Sequence, residues 1–382
     1  MTLNVDQVAG IYLHIPFCKS RCTYCDFYMG TNESHIDAFV EALSMEATLR
    51  RGETRDPIGT IYFGGGTPSR LQRHHFERIF DTLYGHYLIE ADAEITVEAN
   101  PDDLTEEYVA MLASLPFNRL SIGIQSFDDK ELHALSRRHT AREAIDAVKR
   151  CQQQGFHNIS VDLIYGLPGQ TIAVWQRNLA LALALEIQHI SSYHLIYEER
   201  TRMYRLLQSG RITPVPEETS TNMFAMLIDQ LTVAGFIHYE ISAFAKEGFF
   251  SRHNSSYWKD VPYIGLGPSA HSYDGTNRSW NVRSILRYNK GAKNGQFERE
   301  KEQLSPQERY NEFILTGLRT IWGIDLRELE KRFGKEFLDY CRRNAQPFLE
   351  RGVIRQEGSK LTLTREGIFI SDGIMSDLMR VN

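Results

Sequence analysis

Gly10-Ile-Tyr-Leu-His-Ile15, followed by Pro16-Phe-Cys18-Lys-Ser-Arg-Cys22-Thr-Tyr-Cys25, is a short apolar run that opens into a loop bearing three of the chain's five cysteines. The run predicts a strand, with the loop at its carboxyl end. Outward from it the same unit recurs. Through the first 240 residues, short β-branched runs alternate with longer amphipathic ones, the pattern of six βα units closing a parallel sheet.

Expected strands are Gly10–Ile15, Thr60–Gly64, Glu94–Glu98, Arg119–Ile124, Ile159–Ile164 and Ile190–Leu195, with a seventh near Ile237–Ile241. Helices are expected between them at His35–Arg51, Gln72–Tyr84, Glu106–Leu115, Ala141–Gln154, Val174–Leu185 and Glu217–Ala234. Gly155 and Gly235 act as stops for two of these, and Asp103 or Thr105 caps the third. Polar and glycine residues gather where the strands end: Gly64–Thr67, Glu98–Pro101, Gly123–Ser126, and Asp162 with Gly166–Gly169. In barrels of βα units the reactive site forms at that end, so separate segments point to one place.

The bulk composition agrees with a globular α/β protein. Of 382 residues, 42% are hydrophobic and 24% charged, which excludes disordered, collagen-like and coiled-coil chains. A net charge of −6 supplies no electrostatic reason to bind nucleic acid or an anionic membrane. No apolar run approaches the ~18 residues of a spanning helix, and Met1–Gly10 lacks the pattern of a secretion signal, so a cytoplasmic location is expected. The cysteines are too few and too unevenly spread for a disulfide scaffold, and Cys151 and Cys341 read as isolated structural thiols.

Three regions are expected: a core over 1–243, an extension over 244–303, and a C-terminal domain over 304–382. In the extension the βα alternation gives way to Gly, Asn, Ser, Tyr and Trp, which reads as a long functional segment ending in a charge-rich hinge, Glu298–Gln303. The last region reads as three helices and a hairpin around Leu361–Leu363, resembling a winged helix. Its basic residues are interleaved with acids, which favours packing or partner binding over DNA.

Cys18, Cys22 and Cys25 place three thiols on one loop, a spacing that can close around a metal or an iron–sulfur cluster. Structural zinc takes four ligands, and the nearest local candidate, His14, lies in the strand itself. Three thiolates on a four-iron cluster leave one iron open for a substrate or cofactor.

Tyr12-Leu-His-Ile-Pro-Phe-Cys18 with its C-x3-C-x2-C spacing and Asp26-Phe27 resembles the radical S-adenosylmethionine (SAM) superfamily, in the branch of oxygen-independent coproporphyrinogen III dehydrogenase. The resemblance extends over nearly the whole chain: Gly64-Gly-Gly-Thr-Pro-Ser69, Glu98-Ala-Asn-Pro101, Ser121-Ile-Gly-Ile-Gln-Ser-Phe127, Asp162-Leu-Ile-Tyr-Gly-Leu-Pro168 and Tyr263-Ile-Gly-Leu-Gly-Pro-Ser-Ala-His271. It implies a partial (β/α)6 barrel with a [4Fe-4S] cluster on Cys18, Cys22 and Cys25 at its mouth. It also implies that SAM chelates the open iron and is cleaved, after one-electron reduction, to methionine and a 5′-deoxyadenosyl radical. The cofactors carry that chemistry, and the protein orients them and excludes water.

The same resemblance sets SAM against Tyr12, Tyr24, Gly65, Gly66, Thr67, Glu98, Gln125, Arg137 and Asp162, and each has a physical rationale. Gly64–Gly66 let backbone approach a ligand, or else form a plain tight turn. Buried Glu98 and Asp162 suit ribose hydroxyls or the amine, unless they cap helices. Gln125 can donate and accept to a ribose diol. Arg137 can clamp a carboxylate through two parallel bonds, a role its neighbour Arg138 competes for. Tyr12 and Tyr24 flank the cluster loop and either wall off solvent or pack in the core.

Two features depart from the dehydrogenases: Phe27 stands where they carry a further cysteine, and only 17 residues precede Cys18. A third points elsewhere. His253-Asn-Ser-Ser-Tyr-Trp258 matches the H-N-x-x-Y-W signature of the HemW-type haem chaperones, which resemble the dehydrogenase but carry haem to haem-requiring proteins. Imidazole is a common axial ligand of haem iron, and aromatic rings lie against porphyrin faces. By this resemblance the chain is expected to bind haem through His253, with His271 in reserve. Haem-requiring acceptors, respiratory ones included, and an electron donor are its expected partners, reached peripherally at a membrane without an anchor. Oxidative decarboxylation of coproporphyrinogen III is the alternative, and a metal-binding scaffold without cofactor affinity is a third reading.

Overall fold

The computed structural model describes residues 8–381. Its core follows the strand–helix alternation of the sequence: β1 (Ala9–Ile15), α1 (Ile36–Leu49), β2 (Ile58–Gly65), α2 (Arg73–His86), β3 (Ile89–Ala99), α3 (Glu106–Ala113) and β4 (Arg119–Gln125). After α4 (Asp129–Ala134) and α5 (Ala141–Gln153) come β5 (Ile159–Tyr165), α6 (Ile172–Ala184), β6 (His189–His194), α7 (Arg202–Gln208) and α8 (Glu217–Val233). Strands β1 to β6 pair in chain order, all parallel, and β1 does not close onto β6, so the barrel is partial.

The period-two alternation of a strand explains how β1 serves both faces. Ile11, Leu13 and Ile15 are fully buried in the hydrophobic core, which leaves Tyr12 and His14 on the lumen side. Helix ends obey local chemistry: Thr105, not Asp103, caps α3 through Tyr108 N–H, and Thr140 with Glu143 forms a capping box on α5. Gly155 and Gly235 take φ of +92° and +79°, the left-handed conformation that stops α5 and α8.

The extension differs from its expected form. The expected seventh strand forms just before it as β7 (Ile237–Glu240), and the extension itself folds into β8 (Ala243–Ala245), α9 (Arg252–Trp258), β9 (Tyr263–Leu266), β10 (His271–Tyr273), β11 (Asn277–Asn281), α10 (Ile285–Asn294) and β12 (Arg299–Gln303). Its strands lengthen both edges of the barrel sheet into twelve strands, ordered β12-β11-β10-β9-β1-β2-β3-β4-β5-β6-β8-β7. The charge-rich segment expected as a hinge is therefore mostly the edge strand β12, antiparallel to β11. Its side chains are exposed, as suits an edge strand that must resist further pairing.

The C-terminal region has its own core, centred on Tyr310, Ile314, Leu329, Cys341 and Ile374. It comprises α11 (Pro306–Leu318), β13 (Ile324–Asp325), α12 (Leu326–Phe333), α13 (Lys335–Glu350), β14 (Ile354–Glu357), β15 (Lys360–Leu363), α14 (Arg365–Ile368) and α15 (Ser371–Leu378). Helices α11, α12 and α13 precede the β14–β15 hairpin in the expected order, β13 joins that hairpin in a small β13-β15-β14 sheet, and α14 and α15 follow it, beyond the three helices expected. It joins the barrel through Arg319–Glu240, Arg332–Asp260 and Arg365–Asp229 ion pairs. Among the described residues no helix is long and apolar enough to cross a membrane.

Candidate functional site

The loop after β1 is pinned before it can hold anything. Thr23 N–H donates to Leu135 O (3.1 Å), Thr23 Oγ1 donates to Ala134 O (3.1 Å), and Met203 N–H donates to Thr23 O (2.8 Å). Cys18 N–H donates to Gly30 O at 3.0 Å, closing the loop on itself. These anchors bring Cys18, Cys22 and Cys25 to the rim of one cavity of about 660 Å³ at the carboxyl ends of the strands. Gly65, Gly66, Thr67, Glu98, Gln125, Arg137, Asp162 and Tyr24 line the same cavity, so segments from four strands converge as the strand-end argument requires.

Tyr12 and His253 do not join them. Tyr12 lies one side-chain layer below the mouth, its hydroxyl 3.2 Å from His14 Nδ1 and its ring stacked 6.2 Å from that of Tyr62. Its place is set by alternation along β1, where His14 occupies the lumen position nearer the cluster loop. Tyr12 lines a second, smaller cavity and not the one beside the cysteines. His253 lies in α9, not in a loop, and packs beneath Tyr62 at 5.0 Å between ring centres.

At the floor, Glu98 accepts from Tyr62 O–H at 2.8 Å and from Gly65 N–H at 3.2 Å. Asp162 has Ser121 Oγ at 3.4 Å from both of its oxygens. Neither forms a salt bridge among the described residues. Burial pushes the Glu98 carboxyl up to about 7, held back by the Tyr62 hydrogen bond and raised further by Asp162. Burial likewise pushes Asp162 up to about 6. Two enclosed carboxyls of this kind favour a ligand that brings positive charge, as a sulfonium or an α-ammonium does.

The glycines are each explained. A Cβ on Gly64 would stand 2.9 Å from Tyr62 and 3.0 Å from Tyr12, and one on Gly66 would meet the backbone of Ile15 and Phe17 within 2.9 Å. Gly65 has φ +105°. The N–H groups of Gly65 and Gly66 are committed to Glu98 and Ile15 O, so only their carbonyls remain for a ligand.

Arg137 faces the cavity, whereas Arg138 is paired with Asp102. Its Nη2 donates to Asn100 Oδ1 and Gly123 O, and Nη1 lies 3.5 Å from Cys22 Sγ. Both protons of Nη2 are committed, while the buried Nε–H has no partner and Nη1 has one N–H beyond the one that faces Cys22. Gln125 lines the cavity with no side-chain hydrogen bond of its own among the described residues. Asn100, which also donates to Thr67 Oγ1 at 3.2 Å, was missed as an organising residue although it stands in the quoted Glu98-Ala-Asn-Pro101 segment.

The donor set fits a cluster. Burial pushes the Cys18 thiol up to about 11 despite its 3.1 Å contact with Thr67, and burial also raises Cys25. Buried thiols at this site ionise when a metal supplies the compensating charge, and Arg137 beside Cys22 adds a cation for the resulting thiolates. The pocket beside them has room and complementary charge for SAM.

Comparison with known proteins agrees with this geometry. Residues 12–182 match the Radical SAM superfamily and residues 304–370 the HemN C-terminal domain. The heme chaperone HemW of Bacillus subtilis is 34% identical over 95% of this chain and 97% of its own length. The heme chaperone HemW of Lactococcus lactis is 32% identical over 96% of each. The solved structure of coproporphyrinogen III oxidase (HemN) from Escherichia coli has the same fold, with a TM-score of 0.84 over 98% of this chain and 90% of that one, at 21% identity. Full-length similarity, the cluster loop and the cavity coincide: the chain belongs to the radical SAM superfamily, in the family of its HemW relatives.

Proposed function

We propose that this protein binds haem and passes it to haem-requiring proteins, with SAM and a [4Fe-4S] cluster in the barrel cavity. The observation that carries the reading is likeness over 95% of the chain to a relative named heme chaperone HemW, supported by Gly65, Glu98, Gln125 and Asp162 lining the same cavity as the three cysteines. Cys18, Cys22 and Cys25 hold the cluster, and the residues from Gly65 to Asp162 hold SAM. When bound, the pair supplies one-electron reductive cleavage of SAM. The chain's own part is to enclose: Tyr24 packs the cavity wall against Leu135, Ile164 and Leu195, and Glu98 and Asp162 receive the cationic groups.

His253 supplies the haem ligand in this reading. Its ring is neutral because burial lowers its pKa to about 3, so a lone pair is present at every physiological pH. An electron donor and acceptor proteins, respiratory ones at a membrane included, complete the cycle, with the C-terminal domain as the docking element from a cytoplasmic location.

The test is to titrate haem into anaerobically reconstituted protein and into His253→Ala while following the Soret band. Stoichiometric binding lost in the variant is expected. Equal or absent binding in both, with conversion of coproporphyrinogen III to protoporphyrinogen, would favour the dehydrogenase whose fold the chain shares.

A further inference from the structure

His253 is only 1% exposed, and both of its ring nitrogens are engaged. Nδ1 lies 2.8 Å from Thr60 Oγ1 and Nε2 lies 2.8 Å from Tyr257 O–H. The two partners differ in mobility. Thr60 sits in β2, a central strand of the sheet, and its β-branched side chain is stiff. Gly10 makes room for the pair, since a Cβ there would stand 2.9 Å from Thr60 Oγ1 and 3.4 Å from the imidazole. Tyr257 is half-buried, on the same short helix as His253, and its other side faces a second cavity of about 260 Å³.

That second cavity has a distinct chemistry. Tyr257, Tyr263 and Tyr28 line it, and Phe27, 64% exposed, stands between it and the cluster cavity. Arg283 at its edge forms no salt bridge among the described residues; it donates to Asp26 O at 2.8 Å and lies over the Tyr28 ring. Aromatic walls with a guanidinium that has no carboxylate partner suit a flat macrocycle that carries carboxylates. Trp258, the next residue along, is held under Arg319 at 4.8 Å, so α9 keeps its place when the Tyr257 side chain turns.

We propose that Thr60 and Tyr257 are the positioning residues of a gated haem site. Thr60 Oγ1 accepts Nδ1–H and turns the Nε2 lone pair outward, and the Tyr257 phenol covers that lone pair until haem arriving through the second cavity displaces it. The inference rests on the reading that His253 ligates haem. In the step, the Tyr257 O–H···Nε2 hydrogen bond breaks, the phenol turns to water, and an Nε2–iron bond forms with no change of oxidation state. Thr60 acts as the outer partner that fixes the tautomer of a metal-bound imidazole.

The test is stopped-flow haem binding, read at the Soret band, with full-length reconstituted protein and the variants Tyr257→Phe, Thr60→Val, Thr60→Ser, His253→Ala and His253→Ala/Tyr257→Phe. Removing a capping bond of ordinary net strength is expected to speed association about five-fold in Tyr257→Phe. That gain should vanish on the His253→Ala background. Thr60→Val should weaken binding and shift the Soret maximum, and Thr60→Ser should restore both while serving as the folded control. An unchanged rate in Tyr257→Phe while His253→Ala loses binding overturns the gate and leaves the haem reading standing. Acceleration that persists without His253, or wild-type affinity and spectrum in Thr60→Val, also overturns it. No Soret band in the unsubstituted protein overturns both the gate and the haem reading.

Discussion

Gln125 holds φ at +72° where β4 ends, a conformation that costs a side-chain-bearing residue about 1–2 kcal/mol. The strain turns its amide into the cavity, and the β4–β5 register shifts at the same point. Gln125→Gly should therefore leave the unfolding free energy unchanged or slightly raised while SAM affinity falls, a divergence that calorimetry and thermal unfolding resolve together. Glu98 makes the opposite kind of claim. Its folded carboxyl keeps a proton up to about 7, whereas the unfolded one releases it near the ordinary ~4.3. The stability this contributes is complete below ~4.3 and is lost as pH rises through about 7. Glu98→Gln should therefore flatten the pH dependence of cluster-free protein across that window, read as the variant-minus-wild-type difference in guanidinium midpoint. Glu98, Asp162 and Gln125 were legible because their residue types are unusual at strand ends. The committed Nη2 of Arg137 was not, because it depends on Asn100, just past the end of β3, and on Gly123 in β4.

At the scale of elements, the extension is stapled to the barrel by a buried carboxylate. Glu46 in α1 accepts from Arg50 Nη1 (2.8 Å), Asn281 Nδ2 (2.8 Å), Gly267 N–H (2.9 Å) and Tyr288 O–H (2.5 Å). Arg50 in turn donates to Gly265 O at 2.6 Å and to Ser272 Oγ at 2.9 Å. Arg50 keeps Glu53 as a partner at 2.7 Å, but Glu46→Ala would leave the buried Asn281, Tyr288 and Gly267 donors without their acceptor, so a loss of about 2–4 kcal/mol is expected in denaturant unfolding. Faster amide exchange confined to 263–281 would show that the strands β9, β10 and β11 are what it holds. These strands escaped the sequence reading for a physical reason. They are three to five residues long and rich in Gly, Ser, Asn and Tyr, so no apolar alternation marks them. Pairing with β1 and with one another makes them strands.

For the whole molecule, buried imidazoles set the acid limit. Burial lowers His14, His139 and His238 to about 4 and His253 to about 3, so each is neutral in the folded protein. The unfolded chain takes up their protons from about 6.5 downward, and the stability they contribute is lost as pH falls from there through about 4. Glu98 and Asp162 act in the other sense, as do Asp102, Glu131, Glu240 and Glu312, whose carboxyls burial also raises. But His189, His194 and His271 join the lowered imidazoles, and carboxylates held down by their partners, such as Glu33, Glu53 and Asp274, add to the loss at the acid end. The cluster-free protein should therefore lose stability from pH ~6.5 to ~4, and a guanidinium midpoint that rises over that interval would contradict the balance.

The partial barrel, the cysteine loop, the strand-end cavity and the winged-helix-like C-terminus follow from local patterns: alternating βα periodicity, glycine and cap residues, and motif spacing along one chain. Such patterns act over a few residues, so the sequence alone determined them. The tertiary structure alone decided that Nη2 of Arg137 is committed to Asn100 and Gly123, that Tyr12 sits below the cavity, and that the extension completes the sheet. It also decided that His253 lies closed between Thr60 and Tyr257, a state that depends on a strand nearly two hundred residues away in the chain.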